Sequence, residues 1–173
     1  MTKTVNHSGM AFIDDNVFHI ELSPAYTRLN ASVKSVEFVR SWENKLLFVE
    51  AKSSFPNPGN PMPNLEKGNK TGSELFGEAV TDICDKFIHS LNLYAAIDVG
   101  VAKFGFPVEY IIPSDKLSLE FILVIKGFEK SWCDEIKRAL TNKMRESVVI
   151  SNIWKPRVYV INHTDAHKRK LVV

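Results

Sequence analysis

Apolar residues form two short runs on either side of a polar tip between residues 33 and 52, in the segment VKSVEFVRSWENKLLFVEAK. The β-branched and aromatic or aliphatic residues of these runs are Val36, Phe38, Leu46, Leu47, Phe48 and Val49. Two such runs flanking a polar pair, here Glu43 and Asn44, are typical of a β-hairpin. The pattern therefore predicts two antiparallel strands that are joined at Glu43 and Asn44.

The predicted hairpin determines which residues face each other across the two strands. With a loop of two or four residues, Trp42 faces Lys45 and Glu37 faces Glu50. The Cβ atoms of the two glutamates would then lie about 4.5–5.5 Å apart on one face, which is destabilising unless a cation or a proton compensates. Lys52 projects to the same face, about 6.5 Å further along the strand. Two carboxylates and a lysine in this arrangement can hold Mg²⁺ and orient a phosphate.

An acid near the end of one strand is followed thirteen residues later by an acid-x-Lys tripeptide on the next strand. This arrangement resembles the PD-(D/E)XK nuclease superfamily, which includes many restriction endonucleases, Holliday-junction resolvases and repair exonucleases. In that superfamily the two acids bind a divalent metal ion, and the lysine helps to activate water or stabilises the phosphate. The first acid is usually an aspartate preceded by proline, whereas this chain has Glu37 preceded by Val36.

The resemblance implies a role for each residue of the pattern. Glu37 and Glu50 would bind Mg²⁺ or Mn²⁺. Ala51 would lend its backbone carbonyl to the metal site, and Lys52 would be the lysine. A helix before the first core strand often supplies a further acid in the superfamily, and Glu21 is the candidate here, although a surface acid is the simpler interpretation.

Acid-x-Lys tripeptides are common, so the predicted secondary structure around each one has to decide which of them could form the metal site. Chance predicts about two in a chain of this composition, and the chain has three. Glu43-Asn44-Lys45 falls in the predicted turn and Glu135-Ile136-Lys137 in a predicted helix. Only Glu50-Ala51-Lys52 ends an apolar strand that faces another acid. The alternative is a solvent-facing sheet edge with a Glu50–Lys52 ion pair, which would contribute only about 0–1 kcal/mol.

The segment before the hairpin contains a helix signal. Residues 1–16 are polar, and we expect them to be loose. Ser23 followed by Pro24 is a typical helix start, and it predicts a short helix that ends near Ala31.

A long helix is predicted after residue 70. Thr71 and Glu74 form a capping box at its start. Its apolar stripe, which predicts a core-facing side, consists of Leu75, Phe76, Ala79, Val80, Ile83, Phe87 and Leu91. Lys86 lies outside this stripe; it could approach the site from this helix, but a solvated helix face is the simpler interpretation.

The last third of the chain predicts further strands and a helix. Residues 117–126 form a nearly continuous apolar run, as expected for a central strand that is covered on both faces. Ser131 is the expected N-cap of a helix that ends near Met144. The final strands are predicted at residues 148–150 and 157–161.

Two polar segments are candidates for contact with phosphates. Half of the prolines fall in the segment SSFPNPGNPMPNLEKGNK, which predicts either a substrate-contacting flap, with Lys67 and Lys70, or a surface linker. The tail contains Lys168, Arg169 and Lys170, and it is expected to be a basic surface end that contacts a nucleic-acid backbone.

The predicted order of elements matches the resembled superfamily, whose core is a helix, three strands, a helix and a strand. The match requires residues 53–113 to be an insertion between the second and third strands. We therefore expect one nuclease-like domain over residues 1–173. Its fold would be α/β, with a restriction-endonuclease-like mixed sheet flanked by helices and a long helical insertion.

The composition of the chain indicates a globular domain and excludes some classes of protein and of metal site. A chain of 173 residues with 45% hydrophobic and 24% charged residues is typical of a globular domain. No apolar run approaches the roughly 18 residues of a membrane span, and no secretion signal is seen at the start, so we expect a cytoplasmic protein without a membrane partner. Cys84 and Cys133 stand 49 positions apart, which excludes a cysteine-based zinc or iron–sulfur site.

These observations favour a metal-dependent nuclease that hydrolyses phosphodiester bonds in nucleic acid, with DNA as the favoured substrate. The net charge of +2 is small, so phosphate binding would have to come from local clusters of lysine and arginine. One alternative is an inactive nuclease-like fold that binds nucleic acid or protein. Another is an α/β interaction protein whose hairpin carries ordinary surface charges. The resemblance also allows a homodimer, because many nucleases of this superfamily act as dimers.

Overall fold

The computed structural model describes residues 3–29, 33–56, 70–100 and 118–173. Lys67 of the predicted flap lies outside these residues. In chain order the elements are β1 (Thr4–His7), β2 (Met10–Ile13), β3 (Val17–Phe18), α1 (Pro24–Arg28), β4 (Phe38–Trp42), β5 (Lys45–Lys52), α2 (Gly72–Asp98), β6 (Ser118–Ile125), α3 (Lys130–Arg145), β7 (Arg157–Asn162) and α4 (His163–Lys168). The chain therefore has the α/β composition that the sequence predicts.

A mixed sheet of five strands, in the order β3-β4-β5-β6-β7, organises the described residues. β3, β4 and β5 pair antiparallel, whereas β5, β6 and β7 pair parallel. The β4–β5 hairpin has the predicted register, because Phe38 lies opposite Val49 and Trp42 opposite Lys45. Glu43 has a φ of 54° at the predicted tip, a left-handed conformation that a tight turn requires.

One face of the sheet is covered by α2 and α3. Phe87 of α2 stacks on Phe121 of β6, with ring centroids 4.7 Å apart, and Tyr94 of α2 meets Phe48 of β5 edge to face at 5.8 Å. These contacts place α2 in the main hydrophobic core. The long helix therefore belongs to the connection between β5 and β6 and packs directly on the sheet.

The other face is covered by both ends of the described chain. β1 and β2 form a hairpin whose turn residues Ser8 and Gly9 have φ values of 51° and 73°. Phe12 of this hairpin is fully buried, packs on Phe38, and bridges to Val172 near the C-terminus. The prediction that residues 1–16 are loose is therefore wrong.

Several predicted element boundaries are confirmed. Ser23 caps α1 by accepting a hydrogen bond from the backbone of Tyr26, although α1 ends at Arg28 and not near Ala31 as predicted. The capping box of Thr71 and Glu74 is present at the start of α2. The expected central strand is β6, which lies between β5 and β7.

Two predictions in the last third of the chain are wrong. α3 begins at Lys130, and its N-cap Glu129 makes no side-chain cap, so Ser131 already lies inside the helix. Residues 148–150 are helical and lead into the π-helical segment Ile150–Trp154. Of residues 148–150 only Ile150 is buried, so their β-branched side chains do not mark a buried strand.

The helices of the described part of the chain include none with the length and apolar character that crossing a bilayer would require.

Candidate functional site

The predicted acidic pair lies where β5 extends beyond β4. The β4–β5 pairing ends with Phe38 opposite Val49, and residues 50–52 of β5 pair only with β6. Glu37 immediately precedes β4, so continuing the register places it opposite Glu50. The negative charge of Glu37 is one of the effects that raise the pKa of Glu50. The structure thus brings together the two acids that the sequence predicts.

Glu50 is a fully buried carboxylate with two lysine partners. Its Oε1 accepts a hydrogen bond from Lys86 Nζ at 2.7 Å and lies 3.2 Å from Lys52 Nζ. Its Oε2 is buried and has no hydrogen-bond partner among the described residues. Burial raises the pKa of Glu50 above its usual value, and the two lysines oppose that rise. The site therefore holds a buried acid with one oxygen that has no hydrogen-bond partner among the described residues.

Lys86 is a site residue that the sequence analysis assigned to a solvated face, and that assignment is wrong. The side chain is only 20% exposed because it reaches from α2 to Glu50. Burial lowers the pKa of Lys86, but the charge and hydrogen bond of Glu50 outweigh this effect and raise it. Lys86 lies three residues after Ile83 and next to Phe87, both in the core. Its place beside the apolar stripe shows that it lies near the core, but it does not identify Glu50 as its partner.

Glu37 is held by a histidine from the N-terminal hairpin. His7 Nδ1 donates to Glu37 Oε2 at 2.8 Å, and this hydrogen bond lowers the pKa of Glu37. The His7 ring also lies 5.7 Å from Phe38 and 5.8 Å from His19, which contacts Asp14. The sequence analysis missed His7 because it expected this segment to be loose. The Ser-Gly dipeptide after His7 is the turn signal that marks the hairpin.

The backbone carbonyl of Ala51 points to the open side of β5. The carbonyl of the next residue, Lys52, accepts from the backbone of Lys126 beyond the end of β6, so the carbonyl of Ala51 faces the opposite way. There it accepts a hydrogen bond from Ser8 Oγ at 2.9 Å. A carbonyl oxygen has two lone pairs, so Ala51 can still serve as an oxygen ligand.

Other predicted site residues lie apart from this cluster. Glu21 is exposed, and its Oε1 accepts a hydrogen bond from Ser35 Oγ at 3.0 Å. Lys70 is exposed and pairs with Glu78 at 2.6 Å. Glu21 therefore has the surroundings of a surface acid, and Lys70 already has an acidic partner.

The oxygen atoms of Glu37, Glu50 and Ala51 fit a magnesium ion that keeps most of its waters. The described residues contain no group of three or more histidine, cysteine, aspartate or glutamate side chains arranged to hold a metal. The available oxygens are the carboxylates of Glu37 and Glu50 and the carbonyl of Ala51. Mg²⁺ prefers oxygen ligands and usually binds one or two carboxylates together with water. A bound ion of this kind would explain why the buried Oε2 of Glu50 has no hydrogen-bond partner among the described residues.

Comparisons of the chain with protein-family models, with curated proteins and with solved structures found no match. Function is therefore inferred from the residues of the site.

Proposed function

We propose that this chain is a metal-dependent nuclease that hydrolyses phosphodiester bonds in nucleic acid, with DNA as the favoured substrate. The observation that carries the proposal is the fully buried Glu50, which lies 3.2 Å from Lys52 at the point where β5 extends beyond β4. Glu37 adds a second carboxylate across the hairpin. A buried acid whose pKa is shifted by both burial and specific charges is a typical mark of a functional site.

The order of elements supports a restriction-endonuclease-like fold. The core of the resembled superfamily is a helix, three strands, a helix and a strand. Here β3, β4, β5 and β6 are neighbours in the sheet, and α2 lies between β5 and β6 in the chain. The order departs from that core in one respect, because α1 follows β3 instead of preceding it. α2 then takes the place of the second core helix, and no helical insertion is needed. Fold likeness alone does not imply activity, so the site residues carry the functional argument.

Glu37, Glu50 and the carbonyl of Ala51 would hold the Mg²⁺ or Mn²⁺ ion that the proposal requires. When bound there, the ion supplies positive charge against the phosphate and lowers the pKa of water. Glu37 has a longer side chain than the usual aspartate, and His7 would hold its carboxylate in place. The metal ligands would thus come from the β4–β5 hairpin, with Glu37 just before β4 and with Glu50 and Ala51 near the end of β5.

The two lysines have different tasks in this proposal. Lys86 is the more buried one, and its hydrogen bond to Glu50 favours the charged form of that carboxylate. Lys52 is 32% exposed and makes the longer contact with Glu50. It can therefore turn to a substrate phosphate and neutralise charge that develops during attack by water. Lys86 positions Glu50, and Lys52 acts on the substrate.

An inactive binding module is the second candidate, and the charge balance of the site favours it. Glu37 and Glu50 together carry two negative charges, which Lys52 and Lys86 offset, so the cluster needs no metal ion to be neutral. Such a module would bind nucleic acid or protein on a nuclease-like fold without cleaving anything.

Cleavage assays separate the two candidates. Labelled single-stranded and double-stranded DNA and RNA are incubated with the protein and Mg²⁺ or Mn²⁺, and the parent is compared with Glu50→Gln and Lys52→Ala. We expect metal-dependent cleavage by the parent and a loss of at least about 100-fold in either variant, since each removes a group that stabilises the transition state. Glu135→Gln and Lys130→Ala are matched controls, because both residues are exposed on α3.

The controls decide how a negative result is interpreted. If the parent cleaves nothing, or if Glu50→Gln and Lys52→Ala cleave as well as Glu135→Gln and Lys130→Ala, the nuclease proposal is wrong. Circular dichroism and thermal unfolding of every variant distinguish loss of chemistry from loss of folding.

A further inference from the structure

A groove lies on the face of the sheet opposite to the face that carries Glu50. It is a cavity of about 270 Å³, lined by Trp42, Lys45, Glu120 and the chain from Lys168 to Leu171. Its floor includes Leu47, which belongs to the core under the N-terminal hairpin, whereas Glu50 points towards α2. Lys45 and Glu50 are five positions apart on β5, which corresponds to about 16 Å. The groove is therefore separate from the candidate nuclease site.

The walls of this groove are rich in positive charge. Four cationic side chains and two acidic ones line it, and Lys168, Arg169 and Lys170 are all exposed, with Lys168 3.5 Å from Asp165. The whole chain has a net charge of only +2, so an excess of two positive charges in one groove is a local concentration. Such a basic cluster is the electrostatic requirement for binding a phosphate backbone.

Aromatic rings lie in and beside the groove, each with a guanidinium against it. The guanidinium carbon of Arg40 lies 4.3 Å from the centre of the Trp42 ring, and that of Arg169 lies 4.4 Å from the centre of the Tyr159 ring. Arg40 is only 8% exposed, so one face of the Trp42 ring is covered by a buried side chain, and Trp42 also lines the groove. Aromatic and guanidinium planes are the surfaces on which unpaired bases stack.

Glu120 adds a hydrogen-bond acceptor to the groove. It is 3% exposed, and its carboxylate lies 3.7 Å from Lys45 Nζ, beyond hydrogen-bond length. An ionised carboxylate accepts hydrogen bonds and donates none. It therefore favours ligands with amino groups, which adenine, cytosine and guanine carry and thymine and uracil lack.

We propose that this groove binds unpaired bases of single-stranded nucleic acid. A base stacks on Trp42 with its amino edge towards Glu120, and the adjoining phosphates lie along Lys168 and Lys170. A duplex does not fit this arrangement, because its base faces are already stacked on one another. The inference shares only the class of ligand with the proposed nuclease, and it stands on residues on the other face of the sheet.

Fluorescence anisotropy with labelled 12-nucleotide strands of dA, dC or dT tests the groove, in EDTA so that no metal-dependent cleavage occurs. We expect dA and dC to bind more tightly than dT, and Glu120→Gln to reduce that difference. Trp42→Leu should weaken binding by at least about fivefold, through lost stacking. Replacing both Lys168 and Lys170 with alanine should lower the slope of log affinity against log salt by about 1.4, at about 0.7 per phosphate contact.

The same controls used for cleavage apply to binding. Lys130→Ala and Glu135→Gln should bind as the parent does, because neither residue lines the groove. Lys168 and Lys170 are exposed, so their double variant retains the fold and tests the proposal even if Trp42→Leu unfolds.

Three results would overturn the inference. The first is binding by the lysine double variant that equals that of the parent. The second is equal binding of dC and dT strands by the parent. The third is binding of the mononucleotide dCMP as tightly as the dC strand, which would indicate a site for free nucleotides. These binding measurements need no metal ion and no cleavage, so failure of the nuclease proposal would leave their outcomes unchanged.

Discussion

Lys86 on α2 donates a hydrogen bond of 2.7 Å to Glu50 on β5, although 36 residues separate the two in the chain. Removing one partner of a buried ion pair leaves the other without full compensation. Lys86→Met should therefore lower the free energy of unfolding by about 1–3 kcal/mol. Lys52 remains as a second partner of Glu50, which keeps the loss below that of an isolated buried charge.

A double-mutant cycle measures this coupling by chemical denaturation. The loss in the variant with both Lys86→Met and Glu50→Gln should be smaller than the sum of the two single losses, because each single change already breaks the pair. Lys143→Met is the matched control, since Lys143 pairs with Glu146 on the surface, and its loss should stay within about 0.5 kcal/mol. Additive losses at Lys86 and Glu50 would show that the two side chains do not interact.

Glu37 and Glu50 should contribute to the pH dependence of the free energy of unfolding with opposite signs. The hydrogen bond from His7 lowers the folded-state pKa of Glu37 below 4.5. Its contribution to stability is therefore full above pH 4.5 and is lost as the pH falls through the folded-state pKa. Burial raises the folded-state pKa of Glu50 above 4.5, so Glu50 lowers stability as the pH rises from 4.5 through that pKa.

Urea unfolding between pH 3 and pH 7 checks both signs. The stability that the parent has over Glu37→Gln should shrink as the solution becomes more acidic. The difference in stability between the parent and Glu50→Gln should change in the opposite direction, so that the parent gains stability relative to Glu50→Gln as the solution becomes more acidic. A Glu37 difference that stays constant down to pH 3 would contradict the role given to His7.

Binding of a divalent metal should stabilise the folded protein. At a metal concentration ten times the dissociation constant, the gain in unfolding free energy is about 1.4 kcal/mol, or about 3–6 °C in Tm for a chain of this size. Thermal unfolding with Mn²⁺ and with EDTA should show this shift for the parent and for Glu135→Gln. Glu50→Gln should show none. An equal shift in Glu50→Gln would place the metal elsewhere.

Gly9 should matter to the site although it makes no contact with a predicted ligand. Its φ of 73° is a left-handed conformation, and an added Cβ would lie 3.0 Å from Lys126 Nζ. Gly9→Ala should therefore cost about 1–2 kcal/mol and loosen the hairpin that carries His7 and Ser8. Gly77→Ala is the control, because Gly77 lies inside α2 with open space around it and alanine there should stabilise by about 0.5–1 kcal/mol. Denaturation of both variants gives the comparison, and a neutral Gly9→Ala would contradict the role of the turn.

The hairpin at the centre of the chain could be predicted because its pattern is local. The apolar runs and the polar tip between residues 33 and 52 gave the register, and the register gave the pairing of Glu37 with Glu50. Residues 1–16 were harder, because their strands have four residues each and only Met10 and Phe12 are buried hydrophobics. A short strand of that kind is stabilised by the surface on which it packs, and a sequence window does not contain that surface.

The site was predictable only where it lies on one hairpin. Glu50 and Lys52 are two residues apart, so strand periodicity alone places them on one face. His7 and Lys86 come from elements far away in the chain, and only the packing of the N-terminal hairpin and of α2 brings them to the acids. A periodic pattern shows which side of a helix is buried, but not which charged residue beside that stripe will meet a partner.

The pairing of Phe12 with Val172 has a consequence for how the protein is made. Ile13 and Ala11 exchange backbone hydrogen bonds with Leu171 and Val173, so the N-terminal hairpin completes its contacts with the last part of the described chain. Contacts between residues so distant in sequence form slowly, because a long loop must close first. During synthesis on the ribosome, His7 emerges early but must wait for residues 171–173 before its hairpin docks fully. Assembly of the acidic cluster is therefore a late step of folding, and a nascent chain lacking those residues would carry an incomplete site.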